Sequence, residues 1–453
     1  MNRFWTTKNL QPKTVSFNLS YSKTDRDLTQ TLNKPKKWWY VAVTILGLGV
    51  AWGAGSWAYQ ILTGIGVAGK NNPVGWYLYI TTFVFWVGIA HSGTLISAIL
   101  FLFRVKWRAA VYRSAEAVTV FGLATAGLFP LLHMGRVWVF YWTLPYPQMG
   151  DLFPNFRSPL VWDVFAITTY LTVSTIFFIT GMVPDVAIVR DKAKGWRKKL
   201  YGFLAQGWQG TDNQWRHYTQ AYVFMAALAT PLVVSVHSIV SWDFAMSIVP
   251  GWHSTIFAPY FVAGAIHSGL AMVILILMPM RNAFRLKEYI TDHHLESLAK
   301  FLLFTASMVG FAYIIEVFIA WYSHNPWEQA IFNYRAFGDY KWAFWALFAC
   351  NLLVPQLFWV KRFRRNAFTL ALVSVAVTVG MFFERFVIIT TSLAHEYIPF
   401  MWGLPDLTFT EMGIVVGSFS WFFFLFMMFA KTLPVVSMWE VKEQQEPPLS
   451  RGR

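Results

Sequence analysis

Apolar residues in this chain fall into ten runs, separated by short polar and basic stretches. About 20 consecutive apolar residues cross a hydrocarbon core of roughly 30 Å as a helix. The pattern predicts spans at 40–64, 76–103, 115–141, 160–189, 217–241, 255–280, 299–322, 342–360, 367–393 and 409–431. Several exceed the minimum length, so tilted helices are expected. Trp and Tyr gather at span ends (Trp38, Trp39, Tyr40; Trp138, Tyr141, Trp142; Trp321, Tyr322), as in interfacial belts. Residues 1–39 form a polar N-terminal segment without the apolar core and cleavage site of a signal peptide, so the first span is expected to be retained. Residues 432–453 form a tail, expected to be disordered from Val441 onward.

Composition fits this reading. Of 453 residues, 56% are hydrophobic and only 13% charged, about half the charged fraction of a soluble domain. The net charge of +15 could point to nucleic acid, but its distribution excludes that. Lys and Arg crowd before span 1, after spans 2, 4, 6 and 8, and at the C-terminal end; only Lys70, Arg136, Arg157, Arg335, Lys341 and Arg385 depart from the alternation. This is the positive-inside pattern, and it predicts both termini and the basic loops in the cytoplasm. The single cysteine, Cys350, rules out an internal disulfide, a Cys-held iron–sulfur cluster or a CxxCH haem site.

The chain repeats itself. Phe85-Trp-Val-Gly-Ile-Ala-His91-Ser92-Gly93 matches Phe261-Val-Ala-Gly-Ala-Ile-His267-Ser268-Gly269, and Gly75-Trp76 matches Gly251-Trp252 at the same offset. Slightly further on, Glu116 pairs with Glu296, Thr125-Ala126 with Thr305-Ala306, and Trp142 with Tyr322. The expected fold is therefore an all-α membrane protein of ten helices over 40–431. It has two parallel-repeat four-helix bundles, helices 2–5 (75–241) and 6–9 (251–393), plus two flanking helices. Gly88, Ser92, Gly93, Gly264, Ser268 and Gly269 would allow close packing inside each bundle.

Charges inside spans cost at least about 2.5–3.5 kcal/mol each near a helix centre and need a reason. His133 and Arg136 are placed one turn apart in the outer half of helix 3, with His133 and Glu316 roughly 10–12 Å deep. Asp163 lies about one turn into helix 4, His237 near the outer end of helix 5, and Asp243 just beyond it. A histidine and a carboxylate near one interface suit the oxidation of a quinol, which must shed two hydroxyl protons. The alternative is structural: Arg136 paired with a carboxylate, His133 hydrogen-bonded across helices, and Asp243 capping a loop. His91 and His267 fit hydrogen bonding within their own bundles better than haem ligation, with a proton relay as a third reading. Glu116, Glu316, Glu384 and Arg385 are further proton-transfer candidates; adjacent on a helix, Glu384 and Arg385 are not expected to face each other.

Ten spans, paired His-Ser-Gly segments and the His133/Asp163 combination resemble the NrfD/PsrC-like quinone-interacting subunits. With the ending Lys431-Thr-Leu-Pro-Val-Val-Ser-Met-Trp-Glu, the chain looks most like the ActC subunits of bacterial alternative complex III. The resemblance covers about 40–431 and rests on the combination, not on one motif. It implies a multi-pass protein of the bacterial inner membrane that oxidises quinol, menaquinol favoured over ubiquinol, near the periplasmic face. Electrons would pass to a periplasmic iron–sulfur subunit and onward through haem c subunits toward a terminal oxidase. A homologous ten-helix subunit would complete the membrane part, and this chain would hold no haem or cluster itself. On this reading His133, Asp163 and Asp243 are catalytic, and His133, Arg136, Asp163 and His237 bind quinol. The competing reading is a paralogous ActF-like anchoring or proton-translocating subunit without its own quinone site. A secondary transporter fits least, because few Gly/Pro interruptions are paired between the halves.

Overall fold

A computed structural model describes residues 20–144 and 158–444, and all its regular structure is helical. Among the described residues, ten helices are long and apolar enough to cross a membrane. They are α1 (Lys37–Thr63), α2 (Tyr77–Leu102), α3 (Tyr112–His133), α4 (Pro159–Lys192), α5 (Asp212–Ala245), α6 (Phe257–Ala283), α7 (Asp292–Tyr322), α8 (Lys341–Trp359), α9 (Ala367–Ala394) and α10 (Phe409–Thr432). The expected disordered tail begins instead as an ordered helix, Met438–Glu443, with Val441 fully buried. Its Lys442 pairs with Asp25 of an N-terminal helix, Tyr21–Gln30, at 2.6 Å. The rest of the tail and Arg157 lie outside the described residues.

Local chemistry sets the helix ends. Thr211 caps α5 in a reciprocal pair with Gln214, and Thr408 caps α10 through the Glu411 amide. Pro159 opens α4, where its missing N–H costs nothing. The largest boundary error concerns α3, expected to run to 141 but ending at His133. Gly135 adopts φ +77°, and a separate 3-10 turn, Val137–Thr143, follows. The aromatic run after Arg136 reads as apolar in sequence, yet only glycine adopts that φ freely.

α2 and α6 are buried along most of their length, whereas α1 is largely uncovered. α2 packs on α3, α5, α6 and α9; α6 also contacts α5, α7 and α9; α4 joins α3 to α5, and α8 leans on α9. α1 pairs with α10, which rests on α3. The small residues act mostly between the two groups of helices, not inside each one as expected. A Cβ on Gly269 would stand 2.6 Å from the Ser92 Cβ, and one on Gly88 would meet Ser268 Oγ at 3.3 Å. Gly93 alone of this set faces α3, where a Cβ would lie 2.0 Å from the Ala115 carbonyl oxygen. Single π-helical turns interrupt α2 (Leu95–Ile99), α8 (Ala349–Leu353) and α9 (Val387–Thr391), a feature frequent at functional sites.

Two consequences can be measured in detergent. At the α1–α10 crossing, a Cβ on Gly53 would sit 2.7 Å from the Gly417 Cα, whereas Gly55 has nothing within 4 Å. Gly53→Val should lower the thermal midpoint, at a cost of about 1–3 kcal/mol, while Gly55→Val stays near the parent value. Asp185 is buried with Arg113 at 3.0 Å and accepts the Met438 and Trp439 amides at 3.0 Å each. Asp185→Ala should cost about 3–5 kcal/mol by stranding that guanidinium, and it should expose the C-terminal helix to proteolysis.

Candidate functional site

The spans alternate in direction, so the end away from the basic loops gathers the start of α4, the end of α5, the end of α3 and the start of α10. Asp163, four residues into α4, and Asp243, near the end of α5, lie there with their carboxyl groups in hydrogen-bonding contact. Asp243 is therefore inside its helix and not a loop cap. His237 lies six residues before Asp243 on α5, about 9 Å deeper at 1.5 Å per residue. It is fully buried, and neither ring nitrogen has a partner among the described residues.

His133 is the last residue of α3, so it sits at the helix end, not two turns inside. Its Nδ1 lies 2.9 Å from Lys70 Nζ, in the connection between α1 and α2. Its hydrogen-bond partner is Lys70, and the Val137–Thr143 turn that follows packs on α4. Lys70 Nζ also stands 4.4 Å from the Tyr79 ring centroid. The Tyr79 hydroxyl donates to Gln60 Oε1 at 2.5 Å, and Gln60 Nε2 donates to the Leu132 carbonyl at 2.7 Å. Glu411, buried in the first turn of α10, lies against Gly69 and faces Lys70 without closing to ion-pair distance. Burial pulls the Lys70 ammonium down to about 8, with the Glu411 charge opposing. Arg136 is on no shared helix face with His133. It is exposed, and among the described residues it makes no ion pair; its guanidinium lies 5.8 Å from the Trp138 ring centroid.

A second cluster fills the seam between α2, α5, α6 and α9. His91 hydrogen-bonds the Val87 and Val233 carbonyls at 2.8 Å each, and its ring is 4.4 Å from that of His237. His267 Nδ1 meets Thr305 Oγ1 at 2.9 Å, leaving Nε2 without a partner. Glu384 and Arg385 do bond each other, because the long arginine side chain bends back along the helix. The Tyr313 hydroxyl also donates to Glu384 and accepts from Asn351 Nδ2 at 2.8 Å. Arg385 Nη2 is unpartnered and points between Gly88 and Gly264.

The remaining candidates are held in pairs elsewhere. Glu316 meets Arg335 at 3.3 Å, beside a cavity of about 790 Å³ that Glu316, His253, Asn325, Glu328 and Tyr397 help to line. Glu116, at the basic end, accepts from the Tyr222 hydroxyl at 3.3 Å and lies 3.7 Å from Arg113. A smaller apolar groove, about 280 Å³, runs between α1, α3 and α10 past Gly53, Trp57, Gly417 and Leu132, the residue before His133. Sequence reasoning missed Lys70, Glu411, Tyr313 and Asn351 as members of these clusters. For Lys70 a signal existed, since it is one of the six basic residues that break the charge alternation.

Comparison with known proteins identifies the scaffold. The family described as polysulphide reductase, NrfD, matches residues 66–395. The chain is 29% identical, over 75% of its length and 74% of the relative's, to a putative dimethyl sulfoxide reductase membrane subunit of Halobacterium salinarum. It is 22% identical to a selenate reductase subunit of Mesobacillus selenatarsenatis, over 73% of this chain and 76% of that one. It is 23% identical to an Hdr-like menaquinol oxidoreductase integral membrane subunit of Archaeoglobus fulgidus, over 70% of each. The matched region takes in both groups of helices and the clusters between them, and this chain belongs to the NrfD polysulphide reductase family.

Proposed function

We propose that this chain is the quinol-binding membrane subunit of a multi-subunit respiratory oxidoreductase of the alternative complex III type. It oxidises quinol at the end away from the basic loops, the periplasmic face, and passes electrons to an iron–sulfur partner subunit. The observation that carries this reading is the contact between the buried Asp163 and the half-buried Asp243. His133 and Lys70 stand at the same end. Menaquinol is the favoured substrate, in keeping with the name of the Archaeoglobus relative.

Oxidation of one quinol releases two electrons and two protons. The Asp163–Asp243 pair takes up one of them, and His133 accepts the other. His237 offers an additional hydrogen-bonding position deeper along α5, and the exposed Arg136 contributes positive charge at the rim. The apolar groove leading to Leu132 suits an isoprenoid tail. Haem c subunits, a homologous ten-helix subunit and a terminal oxidase complete the proposed assembly.

A second reading, an ActF-like proton-translocating subunit without a quinone site, draws on the buried polar groups of both bundles. His91, His267, Glu384 and Arg385 at the seam, with Glu316 and Glu116 toward opposite ends, are its carriers. The two readings separate in the assembled complex. His133→Ala and Asp163→Asn should each lower the quinol oxidation rate by on the order of 10²-fold with assembly intact; unchanged turnover would remove the quinol site from this chain. Glu384→Gln, reconstituted in vesicles, should leave quinol turnover close to the parent value and reduce the protons moved per electron. An unchanged ratio would take Glu384 out of any proton path.

A further inference from the structure

The Lys70–His133 contact joins two nitrogens, and its chemistry depends on which one donates. If Lys70 is an ammonium, it donates to Nδ1 and leaves the His133 proton on Nε2. That nitrogen can then donate to a substrate oxygen but cannot take a proton from it. If Lys70 is a neutral amine, His133 donates from Nδ1, and Nε2 is free to accept. We propose that Lys70 is the second carrier of a proton relay that leads from the substrate through His133 to the loop between α1 and α2. The proposal rests on the quinol-oxidising reading above and adds to it the route by which one proton leaves.

Everything packed around Lys70 fits a group that changes its charge. From α2 comes the Tyr79 ring, beneath the amine at 4.4 Å. From α3 comes the imidazole at 2.9 Å. From α10 comes the Glu411 carboxylate, buried and near enough to favour the ammonium without holding it in an ion pair. The chain before α10 closes the site from the last side, where the Asp406 amide donates to the Gly69 carbonyl at 3.2 Å. That approach is so close that a Cβ on Gly69 would meet the Asp406 carbonyl oxygen at 1.5 Å. Lys70 releases its proton near pH 8 in this setting, whereas a free lysine does so near 10.4.

Atoms and electrons balance along this route. One quinol O–H bond breaks and its proton binds His133 Nε2, while the Nδ1–H proton passes to Lys70 Nζ, giving an ammonium beside Glu411. The other hydroxyl proton goes to the Asp163–Asp243 pair. The two electrons leave for the iron–sulfur partner, and the ring becomes a quinone. Lys70 then loses its proton through the loop, with Glu411 as the nearest carboxylate.

Lys70→Arg and Lys70→Met test this in the assembled complex, with menadiol as the electron donor. Arginine retains charge and hydrogen-bond donors but does not deprotonate. Both variants should lower kcat by on the order of 10²-fold with KM little changed. The parent enzyme should speed up as pH rises through about 8, because the neutral amine is the accepting form, and both variants should lose that rise. Assembly and bound-quinone content, measured alongside, separate a relay defect from misfolding. Full turnover with the parent pH profile in Lys70→Arg overturns the relay. If His133→Ala is also fully active, the quinol-site reading falls with it; if His133→Ala is inactive and Lys70→Arg is not, only the relay falls.

Discussion

The contact between α2 and α6 fixes where the other helices can lie. Lipid tails are as apolar as leucine, so two helices in a membrane gain little from hiding apolar surface and must be held by close packing and hydrogen bonds. Here the paired segments meet through Ser92, Gly269, Gly88 and Ser268, with no room for a larger side chain at Gly269. That closeness leaves a narrow seam, and the Arg385 guanidinium reaches into it between Gly88 and Gly264. His91, His237 and His267 line the same region because their helices are drawn together there. A wider contact would admit lipid and strand all four polar groups.

The bilayer also explains how the buried charges are arranged. Arg113 bonds Asp185, Arg335 bonds Glu316, and Arg385 bonds Glu384, so each guanidinium is neutralised by a carboxylate. Such pairs are expensive to break, because removing one partner strands the other's charge in the interior. Lys70 is different. Its direct partner is an imidazole nitrogen, and the carboxylate of Glu411 stays outside ion-pair distance. A cation held this loosely can give up its proton, which the arginine pairs cannot do.

The ten spans were legible because length and apolarity alone specify a membrane helix, and most ends fell within a few residues. The end of α3 was not legible, since Trp138–Trp142 continues the apolar run while a single glycine at 135 turns the chain. Asp163 and Asp243 were singled out separately, but their contact brings together residues far apart in sequence on α4 and α5, and no local pattern encodes that. The partner of His133 was not legible for the same reason, because Lys70 reaches it from a loop. Of the small residues the repeat singled out, Gly93 and Gly264 pack inside their own groups as expected, but Gly88, Ser92, Ser268 and Gly269 face the other group. Periodicity places a residue on a face without saying which helix covers it. Glu384 and Arg385 were misjudged because helix geometry describes where side chains start, and an arginine is long enough to return to its neighbour.

Hydrogen-bond capacity offers a criterion that burial and charge do not. Asp185 is as buried as any group here, yet its oxygens are occupied by Arg113 and two backbone amides. Arg335 likewise meets Glu316, Thr391, Ser392 and the Gly251 carbonyl. Groups saturated in this way fasten segments together and have nothing left for a substrate. His237, His267 and Arg385 are buried with nitrogens unpartnered among the described residues, and an unmet polar atom in a low-dielectric interior costs about 1–3 kcal/mol. A fold keeps such atoms when a ligand, a water or a moving proton supplies the missing bond. On the proposed function, a substrate or a moving proton supplies that bond at His237, His267 and Arg385, whereas the saturated Asp185 and Arg335 hold the frame.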